Sequence, residues 1–75
     1  MEKKEYAEKV GKAIREFREA LGIAQDKFAF ANGIDRGYYW KIEHGRINIS
    51  VWQLHLLSVK LNTTASEILA RAESM

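Results

Sequence analysis

Nothing covalent can hold this chain together. Its 75 residues include no cysteine, so hydrophobic packing alone must stabilise the fold. A chain of that length forms one small domain, residues 1–75, and is too short for most self-contained enzymes. With so little core available, helices are the economical solution. Proline is absent, glycine occurs five times and 47% of the residues are hydrophobic, which argues against disorder and for a compact helical fold. No apolar run is long enough to span a bilayer, and Met1 to Lys4 leads into a charged helix rather than a signal peptide. The expected location is the cytoplasm, with no membrane partner.

Bulk charge does not announce a nucleic-acid partner, because 12 Lys+Arg against 10 Asp+Glu leave only +2, with a pI near 9.0. Its distribution says more. Between Arg36 and Asn48, three cations (Arg36, Lys41, Arg46) face Glu43 alone, whereas Glu2 to Glu19 mixes both signs.

Hydrophobic spacing divides the chain into five helices. Tyr6, Val10, Ile14, Phe17 and Leu21 recur at three- and four-residue steps, one stripe of an amphipathic helix that Gly22 ends. Ala24 to Ala31 has room for about two turns, with Phe28 and Ala29 inward, before Asn32-Gly33 supplies a turn. Asp35 is a good N-cap for a third helix over Arg36 to His44, where Tyr39 and Ile42 stand three apart. Ser50 caps the next, spaced by Val51, Leu54, Leu57 and Leu61, and Thr64-Ala65-Ser66-Glu67 reads as a capping box for a short last helix through Ile68 and Leu69. The second and third predicted helices, about 25–31 and 36–43, with Gly33 between them and Arg, Tyr, Trp and Lys in the third, have the shape of a helix-turn-helix.

The residues that fill this frame are distinctive. Gly11-Lys12-Ala13-Ile14-Arg15-Glu16-Phe17-Arg18, Gln25-Asp26-Lys27-Phe28-Ala29, Gly33-Ile34-Asp35-Arg36, Ile42-Glu43-His44-Gly45 and Asn48-Ile49-Ser50 resemble the Cro and phage-repressor type helix-turn-helix family, also called the xenobiotic-response-element family. The likeness runs from about Val10 to Leu69. Asp35-Arg36, Tyr38 and Asn48-Ile49-Ser50 look most like the controller proteins of restriction-modification systems, which are small dimeric transcription regulators.

The resemblance implies an all-α, five-helix bundle of the lambda-repressor-like kind, with the third helix in the DNA major groove. Gln25 matches a glutamine that contacts a phosphate and buttresses the recognition helix. Arg36, Gly37 and Lys41 match positions facing base edges. Arg36 and Lys41 can donate to guanine O6 and N7, whereas Gly37 can only allow close approach. Tyr38, His44, Arg46 and Asn48 match sugar-phosphate contacts, which set register without specifying sequence. Arg18 and Glu43 match a partly buried salt bridge between the first and third helices, valued for orientation more than for net stability.

Plainer readings stand beside these. Arg36 and Lys41 are also what an ordinary solvated helix face carries, and Tyr38 is equally suited to half-burial with its hydroxyl outward. His44 and His55 are eleven apart with no cysteine or carboxylate spacing of a metal site, and no phosphate loop, nucleophile or paired carboxylates point to an enzyme or a cofactor. Ser50, Thr64 and Asp35 are most simply caps.

Departures from the family pattern are informative as well. Ala24 stands where Ser or Thr usually caps the second helix, at a cost of about 1 kcal/mol. Trp40 replaces a small polar residue, and Trp52, Leu56 and Leu21 occupy positions that are commonly polar. Either Trp40 packs against Trp52, or the fourth and fifth helices form a dimer interface through Trp52, Leu56, Val59 and Ile68.

The sequence therefore predicts a non-enzymatic transcriptional regulator that binds specific double-stranded DNA, acting as a homodimer on an inverted-repeat operator. The rival is a protein-interaction module of the same fold, an antitoxin or adaptor that binds a partner through Trp40 and Trp52. The modest net charge favours the rival.

Overall fold

The computed structural model describes residues 1–75 and contains five α-helices and no strand: α1 Lys3–Ala20, α2 Gln25–Ala31, α3 Arg36–Glu43, α4 Val51–Lys60 and α5 Ala65–Glu73. Their starts follow local chemistry. The Asp35 carboxylate accepts from the Tyr38 N–H at 2.9 Å, and the hydroxyls of Ser50 and Thr64 accept from the Gln53 and Glu67 N–H groups at 3.0 and 3.1 Å. The expected capping box is only half formed. Glu67 accepts from the Thr63 hydroxyl at 2.7 Å instead of reaching back to the Thr64 backbone. Ala24 occupies the N-cap of α2 in extended conformation with no side chain to offer, and Gly33 makes the α2–α3 turn at φ +67°.

The helical stripes converge on one core. Val10, Ala13 and Ile14 of α1, Phe28 and Ala29 of α2, Tyr39 and Ile42 of α3, Leu54 and Leu57 of α4, Leu61, and Ile68 and Ala72 of α5 are all buried. Helix α1 packs along α5 and against α3, α2 lies on α3, and α4 on α5. At the rim, Arg71 grips Glu16 at 2.6 Å, Lys9 donates to the Met75 carbonyl at 3.1 Å and the Tyr6 hydroxyl donates to Glu73, so α5 is tied to α1 outside the core as well as within it.

Two apolar residues depart from expectation. Val51 has helical spacing with Leu54 yet projects into solvent, because only Leu54, Leu57 and Ser58 of α4 turn inward. Ile68, which the sequence places at an interface with Trp52, Leu56 and Val59, is completely enclosed: it and Ala72 form the inner stripe of α5. Ile68 is therefore a core residue and has no surface to offer a partner.

The approach of α1 to the end of α3 is unusually close. A Cβ on Gly11 would lie 2.4 Å from the Glu43 carbonyl oxygen, and one on Gly45 would lie 2.5 Å from the Glu8 Cα. Gly45 also adopts φ +66°, which favours glycine independently of the crowding. These two glycines set how deeply α3 sits on the bundle.

Candidate nucleic-acid interface

The inner face of α3 is anchored by a hydrophobic pair and an ionic cluster. Tyr39 is fully buried, its ring tilted against Phe28 with centroids 5.2 Å apart. Beside it the enclosed Glu43 carboxylate receives two bonds from Arg18, at 2.7 Å from Nε and 3.1 Å from Nη2. Gln25 donates to the same carboxylate at 2.9 Å, and Arg15 approaches it at 3.5 Å. Arg18 also donates to the Ile23 carbonyl at 2.7 Å. The predicted pair is thus the hub of a network that joins α1, the α1–α2 turn, α2 and α3.

Burial alone would push the Glu43 carboxyl above its ordinary value, but hydrogen bonds from Arg18 and Gln25 outweigh it and hold the group below. Burial, with the adjacent Glu43 carboxylate, pushes the Tyr39 phenol upward. Its hydroxyl lies in this cluster without a hydrogen bond of good geometry, the sole buried side-chain polar atom so placed.

With Tyr39, Ile42 and Glu43 turned inward, Gly37, Trp40 and Lys41 are exposed on the other side of α3, and Arg36 is exposed at its first residue, beside Asp26, Lys27 and Phe30 of α2. The remaining predicted contacts continue from its end. His44 is the C-cap, half-buried, and Arg46 and Asn48 are exposed in the following turn. Lys3 and Lys4 of α1 line an open hollow with Gly45, Arg46 and Asn48, and Lys12 and Arg15 line the next with Glu8, Glu43, His44 and Arg46. The structure thus adds cations from α1 to the basic margin, a juxtaposition that spacing along the chain cannot reveal.

An aromatic stack lies in the middle of this face. The Trp40 indole and His44 imidazole are 3.7 Å apart between centroids and 15° from parallel. His44 Nδ1–H donates to the Trp40 carbonyl at 2.9 Å, which leaves Nε2 to accept from Arg15 at 3.3 Å. The Arg46 guanidinium carbon lies 5.8 Å from the Trp40 ring centroid, within cation–π range.

Other candidates lie elsewhere. Tyr38, 39% exposed, lines a narrow gap with Gln53, Leu56 and Lys60 of α4, so it is half packed between α3 and α4. Trp40 and Trp52 find different partners: Trp52 of α4 leans on His55 at 5.3 Å, while Trp40 stacks on His44. Val51, Trp52, Leu56 and Val59 share the outer side of α4 with His55. Phe30 of α2 is 89% exposed beside Lys27 and Arg36, a feature that sequence reasoning missed. No helix is long and apolar enough to cross a membrane.

Comparison with known proteins agrees with this geometry. The helix-turn-helix family matches residues 14–68. The control protein C.MunI of a Mycoplasma species is 34% identical over 64 residues, covering 84% of this chain and 86% of that protein. The crystal structure of the clp gene regulator ClgR from Corynebacterium glutamicum superposes with a TM-score of 0.85 at 28% identity, covering 92% of this chain and, in one of its crystal structures, 88% of that chain. The restriction-modification controller protein C.AhdI from Aeromonas hydrophila superposes with a TM-score of 0.74 at 34% identity, covering 83% of this chain and 94% of that one.

Proposed function

Because this chain belongs to the helix-turn-helix family of the Cro and phage-repressor type, we propose that it is a transcriptional regulator that binds specific double-stranded DNA as a homodimer on an inverted-repeat operator. The observation that carries this reading is the exposed part of α3, with Arg36 at its N-terminal end and Gly37 and Lys41 on its outward side, on a helix locked to the bundle through Glu43. A helix held this way can enter the major groove as a rigid body. Arg36 and Lys41 then donate to guanine O6 and N7, and Gly37 lets the backbone come close.

Gln25 spends one amide hydrogen on Glu43 and retains the other for a phosphate. Arg46 and Asn48 reach the sugar-phosphate backbone from the turn after α3, with Tyr38 at the α4 edge of that helix, whereas His44, whose ring nitrogens are both engaged by Trp40 and Arg15, orients Trp40 instead of meeting a phosphate. Trp52, Leu56 and Val59 of α4 form the contact between the two copies, without Ile68. The similarity to two controller proteins supports the same reading.

The test is selection of bound duplexes from a random DNA pool at physiological salt, where non-specific binding is weak. Enrichment of an inverted repeat is expected. On that repeat, Arg36→Ala relaxes the preference at its base pair and costs about 1 to 3 kcal/mol, while Arg46→Ala weakens all sequences alike and lowers the salt slope by about one. A folded protein that enriches nothing, yet binds a protein partner tightly through Trp52, would instead be an interaction module.

A further inference from the structure

The geometry points to Trp40 as a base-reading residue, whose indole packs against the C5 methyl groups of pyrimidines in the major groove; this rests on the DNA-binding reading above. The placement comes first. At 100° per residue, Trp40 falls between Arg36 and Lys41 on the outward side of α3, on the same side as Gly37 and His44. Any duplex that meets Arg36 and Lys41 also meets Trp40.

The chemistry of the contact follows from the side chain. An indole has one N–H donor and no acceptor, so most of what it can offer a base edge is apolar area. The major groove displays one apolar group of matching size, the methyl at C5 of thymine or of 5-methylcytosine. The ring is also preorganised. His44 covers it at 3.7 Å, and that imidazole is hooked to the Trp40 carbonyl at 2.9 Å and to Arg15 at 3.3 Å, so the indole reaches the groove with little freedom left to lose.

The setting favours DNA over a protein as the occupant of this surface. Arg36 and Lys41 flank Trp40 along α3 and Arg46 lies 5.8 Å from its ring, a cluster of cations that matches the closely spaced phosphates of a duplex. The apolar side of α4, with Trp52, is a separate surface without such a cluster of cations.

The experiment uses the full chain and the duplex enriched by selection. Each thymine is replaced in turn by uracil, which removes only the methyl, and each cytosine by 5-methylcytosine, which adds one. At one or more positions per half-site, uracil is expected to weaken binding about fourfold, the value of one buried methyl. A gain with 5-methylcytosine while uracil is neutral names methylated cytosine as the source of the same methyl. Trp40→Ala is expected to abolish the sensitivity and Trp40→Phe to preserve it, with unchanged thermal melts showing that both variants fold. Affinity indifferent to the methyl at every position, or sensitivity that survives Trp40→Ala, overturns the inference. Failure of the wild-type protein to enrich any duplex overturns the DNA-binding reading, and this one with it.

Discussion

Glu43 shows how a single residue can serve both fold and function. Enclosed and bonded to Arg18 and Gln25, it holds α3 to two other helices. Removing either Arg18 or Glu43 strands a buried charge, so Arg18→Met and Glu43→Ala should each cost about 3 kcal/mol and weaken DNA binding; unchanged thermal melts would refute this. The same carboxyl makes stability depend on acid. It titrates lower in the folded than in the unfolded chain, so its contribution is complete above the ordinary value of 4.5 and is lost as pH falls below that toward its folded value. Melting curves taken from pH 7 down should show Glu43→Gln losing less stability than the wild type over that acidic range. Gly37 works in the opposite sense. Its backbone does not adopt the left-handed region, and an added Cβ would meet only the Asp35 carboxylate, at 3.4 Å. The fold does not require glycine there, and a glycine inside a helix is a weak choice. Gly37→Ala should therefore raise stability by about 0.5 to 1 kcal/mol while lowering operator affinity. A parallel gain or loss in both would remove the close-approach role assigned to it.

Among the helices, starts and inner faces are legible in the sequence because they depend on neighbours along the chain. Asp35, Ser50 and Thr64 cap where the pattern places them, and Phe28, Ala29, Tyr39 and Ile42 turn inward as their spacing requires. Relations between helices are not legible in this way. The crowding of Gly11 against the Glu43 carbonyl, the bond from Arg15 to His44 and the hollow shared by Lys3 and Arg46 join positions far apart in sequence, and no periodicity connects them. Ile68 failed for a related reason: its spacing marks it as apolar, but only the packing of α5 decides which apolar stripe is covered. The missing cap of α2 allows a test at this scale. Ala24 already has the extended backbone of an N-cap, so Ala24→Ser needs no rearrangement to place an acceptor for a free N–H at the start of α2. Chemical denaturation should show a gain of about 1 kcal/mol, with DNA affinity unchanged because α3 does not move.

Across the whole molecule, a regulator with a net charge of only +2 must bind DNA through local arrangement. Lys3 and Lys4 of α1 gather with Arg46 at the end of α3, whose exposed residues add Lys41 and Arg36, while Glu16 and Glu73 are spent in contacts between α1 and α5. A single copy still presents one recognition helix, and a few phosphate and base contacts give limited discrimination. The outer side of α4 supplies a reason for two copies. Val51, Trp52 and Val59 are 84%, 65% and 63% exposed, a continuous apolar stripe on a helix whose other side is already in the core. Pairing through a two-fold axis would cover this stripe on both copies at once. In a molecule of 33 × 21 × 21 Å, it would also suit two α3 helices about one DNA turn, roughly 34 Å, apart. Trp52→Lys should then leave the fold intact, since Trp52 contributes nothing to the core, but should yield a monomer in analytical ultracentrifugation at micromolar concentration. Because the second half-site no longer adds to the first, the variant should lose affinity for the full inverted repeat while matching the wild-type monomer on an isolated half-site. Equal losses on both duplexes would mean that Trp52 touches DNA itself, and a wild type that sediments as a monomer even when bound to the repeat would exclude this interface.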